Sequence, residues 1–338
     1  MSTKDNEPKK VLVTGATGFL GTWLVKSLVQ AGHQVRILKR PQTELDIELK
    51  KLNLETAPGD ITDSASLLSA TKDIDTVFHL AGLIAYTKTK YDLMYKVNVF
   101  GTQNVIDACL ANKVRRLVYL SSIVSLGASF DGRRPLTEES EYNLKSLHLG
   151  YFETKNQAEQ LVLNAHRERG LDVVILNPTT IYGEGDAKKG SRSNQIKVAR
   201  GEMPFYPSGG VNIVAVEDVI EALLTAWKIG RSGERYILGG ENLLIRDVFE
   251  MIAEVAGVEP PKIPLNRTTL RALGLIGDQL EKRGKKFVAN SEIAWSSTLF
   301  NWADNSKAKR ELGFNPRPAR QAIEASVNWM RTHGLLKK

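Results

Sequence analysis

Cysteine is nearly absent. Cys109 stands alone among 338 residues, which excludes an internal disulfide and a cysteine-based metal site. Such usage fits a reducing cytoplasm. No apolar run reaches the roughly 18 residues that a membrane span needs. The polar stretch Met1–Lys10 has no apolar segment behind it, so no secretory signal is expected and residues 1–9 read as a disordered tail. Internal repeats and low-complexity linkers are also missing. So is any nucleic-acid-binding motif, despite a formal charge of +8. The basic residues are spread along the chain, and the densest cluster, Lys282–Lys286, reads as a solvated helix end. Part of that charge can instead attract a cofactor phosphate. What these absences leave is an ordinary soluble, globular composition, 42% hydrophobic and 25% charged.

The first half alternates strand-like and helix-like segments. Lys10–Thr14, Gln34–Leu38, Leu54–Pro58, Thr76–Leu80, Leu117–Ser121 and Val173–Asn177 are short β-branched runs. Between them Phe19–Ala31, Ser64–Thr71, Tyr91–Asn112 and Gly150–Arg169 carry helical apolar spacing. Alternation of this kind predicts an α/β domain, a doubly wound parallel sheet of Rossmann type over residues 10–178. After Pro178 the pattern is less regular. Helices are expected at Ser193–Arg200, Val216–Lys228, Ile245–Ala256, Thr268–Lys285 and Arg320–Thr332, with a strand at Arg235–Leu238. Residues 179–338 therefore read mainly as a smaller α/β substrate lobe, with some segments returning to the first domain.

Between the first strand and first helix lies Thr14-Gly15-Ala16-Thr17-Gly18-Phe19-Leu20-Gly21. The first glycine permits a tight turn, the second lets backbone approach a pyrophosphate, and the third lets helix and strand pack closely. A helix N-terminus beyond them offers free N–H groups to phosphate oxygens. The spacing is G-x-x-G-x-x-G rather than G-x-G-x-x-G, but its place between strand and helix makes it a dinucleotide loop. An acidic residue at the end of the second strand would bind the ribose 2′-hydroxyl of NAD. Lys39 and Arg40 stand there instead, which favours a 2′-phosphate and hence NADP(H), with NAD(H) still usable. The plainer reading has both cations simply facing solvent.

Tyr151 and Lys155, at i and i+4, lie on one helix face. The lysine there is expected to lower a phenol pKa that is ordinarily about 10, so that the tyrosine can exchange protons near neutral pH. With a dinucleotide beside it, the pair reads as hydride-transfer machinery.

At these residues the chain resembles the extended short-chain dehydrogenase/reductase family, over nearly its whole length. The resemblance includes Gly59-Asp60-Ile61, where family members hold the adenine, and His79-Leu80-Ala81-Gly82, whose backbone lies along the cofactor. Asn98-Val99-Phe100-Gly101-Thr102 matches the segment that braces that strand. It implies cofactor contacts from Gly15, Thr17, Gly18, Phe19 and Leu20, from Asp60 and Ile61, and from Leu80, Ala81 and Gly82. At the nicotinamide end it implies Tyr151, Lys155, Pro178 and Ile181, with Tyr182 just beyond. The family's third catalytic member is a serine or threonine after the fifth strand. Ser122, five residues before Gly127, has the matching spacing, while Ser121 and Ser125 read as structural and His148 as a rim residue. No metal is implied.

The resemblance also implies a mechanism. Ser122 and Tyr151 would both donate to a substrate carbonyl, Tyr151 acting as general acid, while Lys155 binds the nicotinamide ribose. Ile123-Val124 replaces the Asp-Glu pair of the family's dehydratases, and aliphatic side chains cannot shuttle that proton. The run Val35–Arg40, with Asn212–Gly240 and Ala303–Pro316, is similar to dihydroflavonol reductase-like proteins. An NADP(H)-dependent reductase of a ketone or aldehyde is the expected function. A nucleotide-sugar epimerase and a hydroxysteroid dehydrogenase-like enzyme are the enzymatic alternatives, and a cofactor-sensing scaffold is the non-enzymatic one. The expected partners are a small carbonyl or alcohol substrate and, through the helices at Tyr91–Asn112 and Gly150–Arg169, a second copy in a homodimer. Ile84, Tyr86, Tyr206 and Thr268–Lys285 are the candidate pocket lining.

Overall fold

The computed structural model describes residues 7–188, 192–285, 287 and 289–336. The first six residues of the expected tail, and Lys286 of the basic cluster, lie outside them.

Seven strands form the central sheet: β1 (Lys10–Thr14), β2 (Gln34–Lys39), β3 (Glu55–Pro58), β4 (Thr76–His79), β5 (Arg116–Leu120), β6 (Val173–Pro178) and a seventh, Glu234–Leu238, far along the chain. Their order across the sheet is seventh, β6, β5, β4, β1, β2, β3, and every pairing is parallel. The order reverses between β1 and β4, which opens a crevice at the C-terminal ends of those two strands. β6 is buried at all six positions, as a strand covered on both faces must be.

A second sheet joins β7 (Thr180–Tyr182), Gly210–Ala215 and Glu241–Leu244, and a two-stranded one pairs Phe205–Pro207 with Ile263–Leu265. In chain order the strands from Phe205 onward are β8 (Phe205–Pro207), β9 (Gly210–Ala215), β10 (Glu234–Leu238), β11 (Glu241–Leu244) and β12 (Ile263–Leu265). The expected strand at Arg235–Leu238 is thus β10. It pairs with β6 in the main sheet, after a long excursion of the chain.

The helices are α1 (Phe19–Gln30), α2 (Ile47–Lys50), α3 (Ser64–Ala70), α4 (Tyr91–Met94), α5 (Gly101–Ala111), α6 (Gly150–Arg169) and α7 (Ser193–Ala199). They continue with α8 (Val216–Ile229), α9 (Ile245–Ala256), α10 (Arg267–Lys282), α11 (Ser291–Ser296), α12 (Ser306–Leu312) and α13 (Ala319–Thr332). One face of the sheet packs on α1 and α8, burying Val11, Leu24, Leu28, Val219, Leu223 and Trp227. The other packs on α3, α5 and α6 through Leu67, Val105, Ile106, Ala158 and Val162. A separate apolar cluster lies where β9, α9 and α13 meet, around Ile213, Ile252, Ile323 and Val327. Among the described residues no helix is long and apolar enough to cross a membrane.

The single helix expected at Tyr91–Asn112 is in fact interrupted. Between α4 and α5, Tyr95–Phe100 forms wider π-helical turns. Asn98 sits in that stretch, with its side chain turned into hydrogen bonds that a regular helix face would not align. β7, β8, β11 and β12, of three or four residues each, and the six-residue β9 were not expected as strands.

Candidate active site

The glycine loop lines the crevice between β1 and β4. Gly15 has φ +72°, and a Cβ there would stand 2.7 Å from the Ala81 nitrogen and 2.8 Å from the Leu80 carbonyl carbon. A Cβ on Gly21 would meet the Gly15 oxygen at 2.1 Å. Loop, helix and neighbouring strand therefore touch backbone to backbone, and only glycine permits it. Gly18 caps α1 without a side-chain hydrogen bond, and a helix N-terminus at such a loop favours an anion. Thr17 and Gly18 are exposed at the rim, whereas Leu20 is buried beneath it. These features fit a dinucleotide pyrophosphate.

At the expected adenine end, Asp60 accepts from the Thr62 nitrogen at 2.9 Å and the Thr62 hydroxyl at 2.8 Å, which shapes the loop after β3. Ile61 is buried, and its carbonyl accepts from Asn104 at 3.0 Å. The two cations after β2 differ. Lys39 Nζ donates to the carbonyls of Thr43 at 2.7 Å, Pro41 at 3.3 Å and Arg40 at 3.4 Å, closing the turn. Arg40 is exposed at the strand end. The expectation of two cations ready for one phosphate therefore narrows to Arg40, because the lysine already serves the backbone.

β4 ends in His79, which is fully buried between Thr14 Oγ1 at 2.7 Å and Thr102 Oγ1 at 3.0 Å. Burial, and after it the nearby Lys155 cation, push its pKa down to about 3, so it is a neutral strut. Leu80, Ala81 and Gly82 follow along the crevice. Asn98 fixes their continuation, accepting from the Leu83 nitrogen at 2.7 Å and donating to the Leu83 carbonyl at 3.0 Å.

α6 presents Tyr151 and Lys155 on its buried face. The Ser122 side chain acts on the Tyr151 phenol, favouring its ionised form, so the residue chosen by spacing and the tyrosine are neighbours. Ser122 Oγ accepts from the Val124 nitrogen at 3.5 Å. The phenol pKa is raised, first by burial and then by Tyr86, with Ser122 pulling the other way. The expected lowering by Lys155 is not the balance found. Lys155 Nζ instead donates to the Leu120 carbonyl at 2.9 Å and the Tyr119 hydroxyl at 3.2 Å. Burial lowers its own pKa to about 8, with Glu159 opposing.

Ser122 opens a short turn, Ile123–Leu126, in which Ile123 and Val124 are buried. Ser121 and Ser125 are buried behind it. Glu159 was not singled out in the sequence, yet it is 0% exposed and accepts from Ser125 Oγ at 2.7 Å and Asn177 Nδ2 at 2.6 Å. Its signal was available. Tyr151, Lys155 and Glu159 recur at every fourth position, on the same helix face as apolar Ala158 and Val162.

Around the tyrosine, Tyr86 packs edge-on to its ring at 6.1 Å. Tyr182 is buried beneath the Arg192 guanidinium, 4.3 Å from its ring. Pro178 ends β6 and Ile181 lies in β7, both buried. Ile84 is exposed at 42%, His148 is also exposed, and Tyr206 lies on β8, paired with Pro264 of β12. α10 is anchored to the loop after β4 by Thr87–Glu281 at 3.0 Å and Lys88–Asp278 at 2.9 Å. Asn290, just before α11, donates to the Tyr86 carbonyl at 2.7 Å.

A crevice at the switch point lined by a glycine loop, with Ser122 beside Tyr151 at its end, fits the class of nicotinamide-dependent oxidoreductases. Comparison with known proteins agrees. The profile of the 3-beta hydroxysteroid dehydrogenase/isomerase family matches residues 12–247. A Synechocystis sp. protein that carries the name of dihydroflavonol 4-reductase is 31% identical over 96% of this chain and 95% of its own. A 2-alkyl-3-oxoalkanoate reductase of Stenotrophomonas maltophilia is 29% identical over 91% of this chain and 95% of its own. Among solved structures, gox2253 is 37% identical with a TM-score of 0.86, over 97% of this chain and 100% of that one. MoeE5 in complex with UDP-glucose and NAD is 27% identical with a TM-score of 0.74, over 96% and 99%. The chain belongs to the 3-beta hydroxysteroid dehydrogenase/isomerase family, within the extended short-chain dehydrogenases/reductases, and is an NAD(P)-dependent oxidoreductase.

Proposed function

We propose that the protein is an NADP(H)-dependent reductase of a ketone or aldehyde, with Tyr151 as general acid. The observation that carries this reading is the placement of Tyr151 and Lys155 on the buried face of α6, with Ser122 beside the phenol and burial raising the phenol pKa. Such a phenol stays protonated at neutral pH and is a donor, as reduction requires. When bound, the nicotinamide nucleotide supplies the hydride. Ser122 and Tyr151 hold the substrate oxygen from two sides, and the proton on Tyr151 Oη passes to it as the alkoxide forms. Lys155 lies one turn along the same helix, where its ammonium can meet a nucleotide ribose. Asp60, Ile61, Leu80, Ala81 and Gly82 would line the adenosine side, and Pro178 and Ile181 the nicotinamide side.

Arg40 supports a preference for the 2′-phosphate, since no acidic residue occupies the end of β2. The name of the 2-alkyl-3-oxoalkanoate reductase supports ketone reduction. A nucleotide-sugar epimerase is the second reading, favoured by the UDP-glucose complex of MoeE5. Exposed Leu93 and Phe100, at 50% and 56%, suit a homodimer built on α4, α5 and α6.

NADPH consumption against a panel of ketones and aldehydes tests the reading. Activity is expected, falling roughly 10²- to 10⁴-fold in Tyr151→Phe. Full activity in that variant would sink the mechanism. Interconversion of UDP-hexoses without net NADPH consumption would favour the second reading.

A further inference from the structure

The turn that bears Ser122 is gripped from behind by the helix that bears Tyr151. Asn156 Nδ2 on α6 donates to the Ser125 carbonyl at 2.9 Å. One turn past Lys155, Glu159 Oε2 accepts from Ser125 Oγ at 2.7 Å and from Asn177 Nδ2 at 2.6 Å. Both of those donors also face the Ser122 carbonyl, Ser125 Oγ at 2.7 Å and Asn177 Nδ2 at 3.2 Å. Arg235 on β10 approaches the other carboxylate oxygen at 3.3 Å.

The donor inventory makes this arrangement directional. An ionised carboxylate only accepts, so the Asn177 nitrogen must be the amide atom that faces it. Ser125 has a single hydroxyl hydrogen, lying between the carboxylate and the Ser122 carbonyl. A fully buried charge is costly unless paired and hydrogen-bonded, and Glu159 meets that condition only with all of these groups in place. The carbonyl of Ser122 is thereby held on the inner side of the turn, which its side chain caps through the Val124 nitrogen. This fixes where Ser122 stands relative to the Tyr151 phenol that it influences.

We propose that Glu159 is a positioning residue for the proposed reduction, acting through Ser125 and Asn177 to fix Ser122 against Tyr151. This rests on the reductase reading. The alternative is that Glu159 acts through Lys155, whose charge it favours, or only through the fold.

A double-mutant cycle separates these routes. Glu159→Gln should lower kcat about 10- to 100-fold through misplacement of one donor. The KM for NADPH should stay within about twofold and the melting temperature should remain that of a folded protein. In a Ser122→Ala background the same substitution should cost less than about twofold, because the group it positions is gone. Ser125→Ala, which keeps the carboxylate, should behave alike and serves if Glu159→Gln does not fold. A cost retained in full in the Ser122→Ala background, or wild-type kcat in both Glu159→Gln and Ser125→Ala, would overturn the proposal. A crystal structure of Glu159→Gln decides independently of turnover. The turn should shift and carry Ser122 away from Tyr151, and an unchanged position of Ser122 would refute positioning even if the protein reduced no carbonyl. Absence of turnover in the wild type would count against the reductase reading alone.

Discussion

Asn98 donates to Thr154 Oγ1 at 3.1 Å, which ties the π-helical stretch bracing β4 to the helix that carries Tyr151. The same amide nitrogen reaches the Leu83 carbonyl, and its oxygen takes the Leu83 N–H. One buried side chain therefore links the loop after β4 to α6. Asn98→Ala leaves these groups unpaired and should destabilise the protein by about 2–3 kcal/mol, measured by urea unfolding. It should also lower kcat more than it raises the KM for NADPH. A variant with wild-type stability would show that the bridge is dispensable.

Lys155 should leave a mark on stability in alkaline solution. Its folded pKa is about 8, against 10.5 for the free side chain. Below pH 8 both states hold the proton and the cost of burying the cation is fully present. Between these values the unfolded chain binds the proton and the folded one does not, so this group makes stability rise with pH. Comparing urea unfolding at pH 7 and pH 10, Lys155→Met should lack about 2–3 kcal/mol of upward change that the wild type retains. An identical pH response in both proteins would rule the shift out.

Arg40 and Lys39 should separate on substitution. Arg40→Ala is expected to raise the KM for NADPH about tenfold, from the loss of a charge-assisted contact, and to leave that for NADH unchanged. Lys39→Ala, which frees the carbonyls of Arg40, Pro41 and Thr43, should act mainly on thermal stability. Equal effects of Arg40→Ala on both nucleotides would remove the argument for a 2′-phosphate site.

Gly15→Ala tests the crevice itself. The positive φ and the 2.7 Å approach to the Ala81 nitrogen predict a loss of about 1–3 kcal/mol. Thermal stabilisation by added NADPH should be smaller than in the wild type. A variant that melts like the wild type and responds equally to NADPH would mean that loop and strand can part without consequence.

By itself the sequence determined the doubly wound sheet, the glycine loop between β1 and α1, and the shared helix face of Tyr151 and Lys155. Those features are local, since strand alternation, helical periodicity and turn chemistry act over a few residues. The tertiary structure decided what is non-local. It returned Glu234–Leu238 to the edge of the main sheet, turned Lys155 toward Leu120 and Tyr119, and raised rather than lowered the Tyr151 phenol pKa by burial. It also supplied the partners through which Asn98 does its expected bracing, and turned Asn177 and Glu159 into struts. Their partners lie 15 to 56 residues away in the chain for Asn98, and 18, 34 and 76 away for Glu159. Such pairings depend on how the layers pack, because a buried polar group must find whatever donor or acceptor the opposite layer presents.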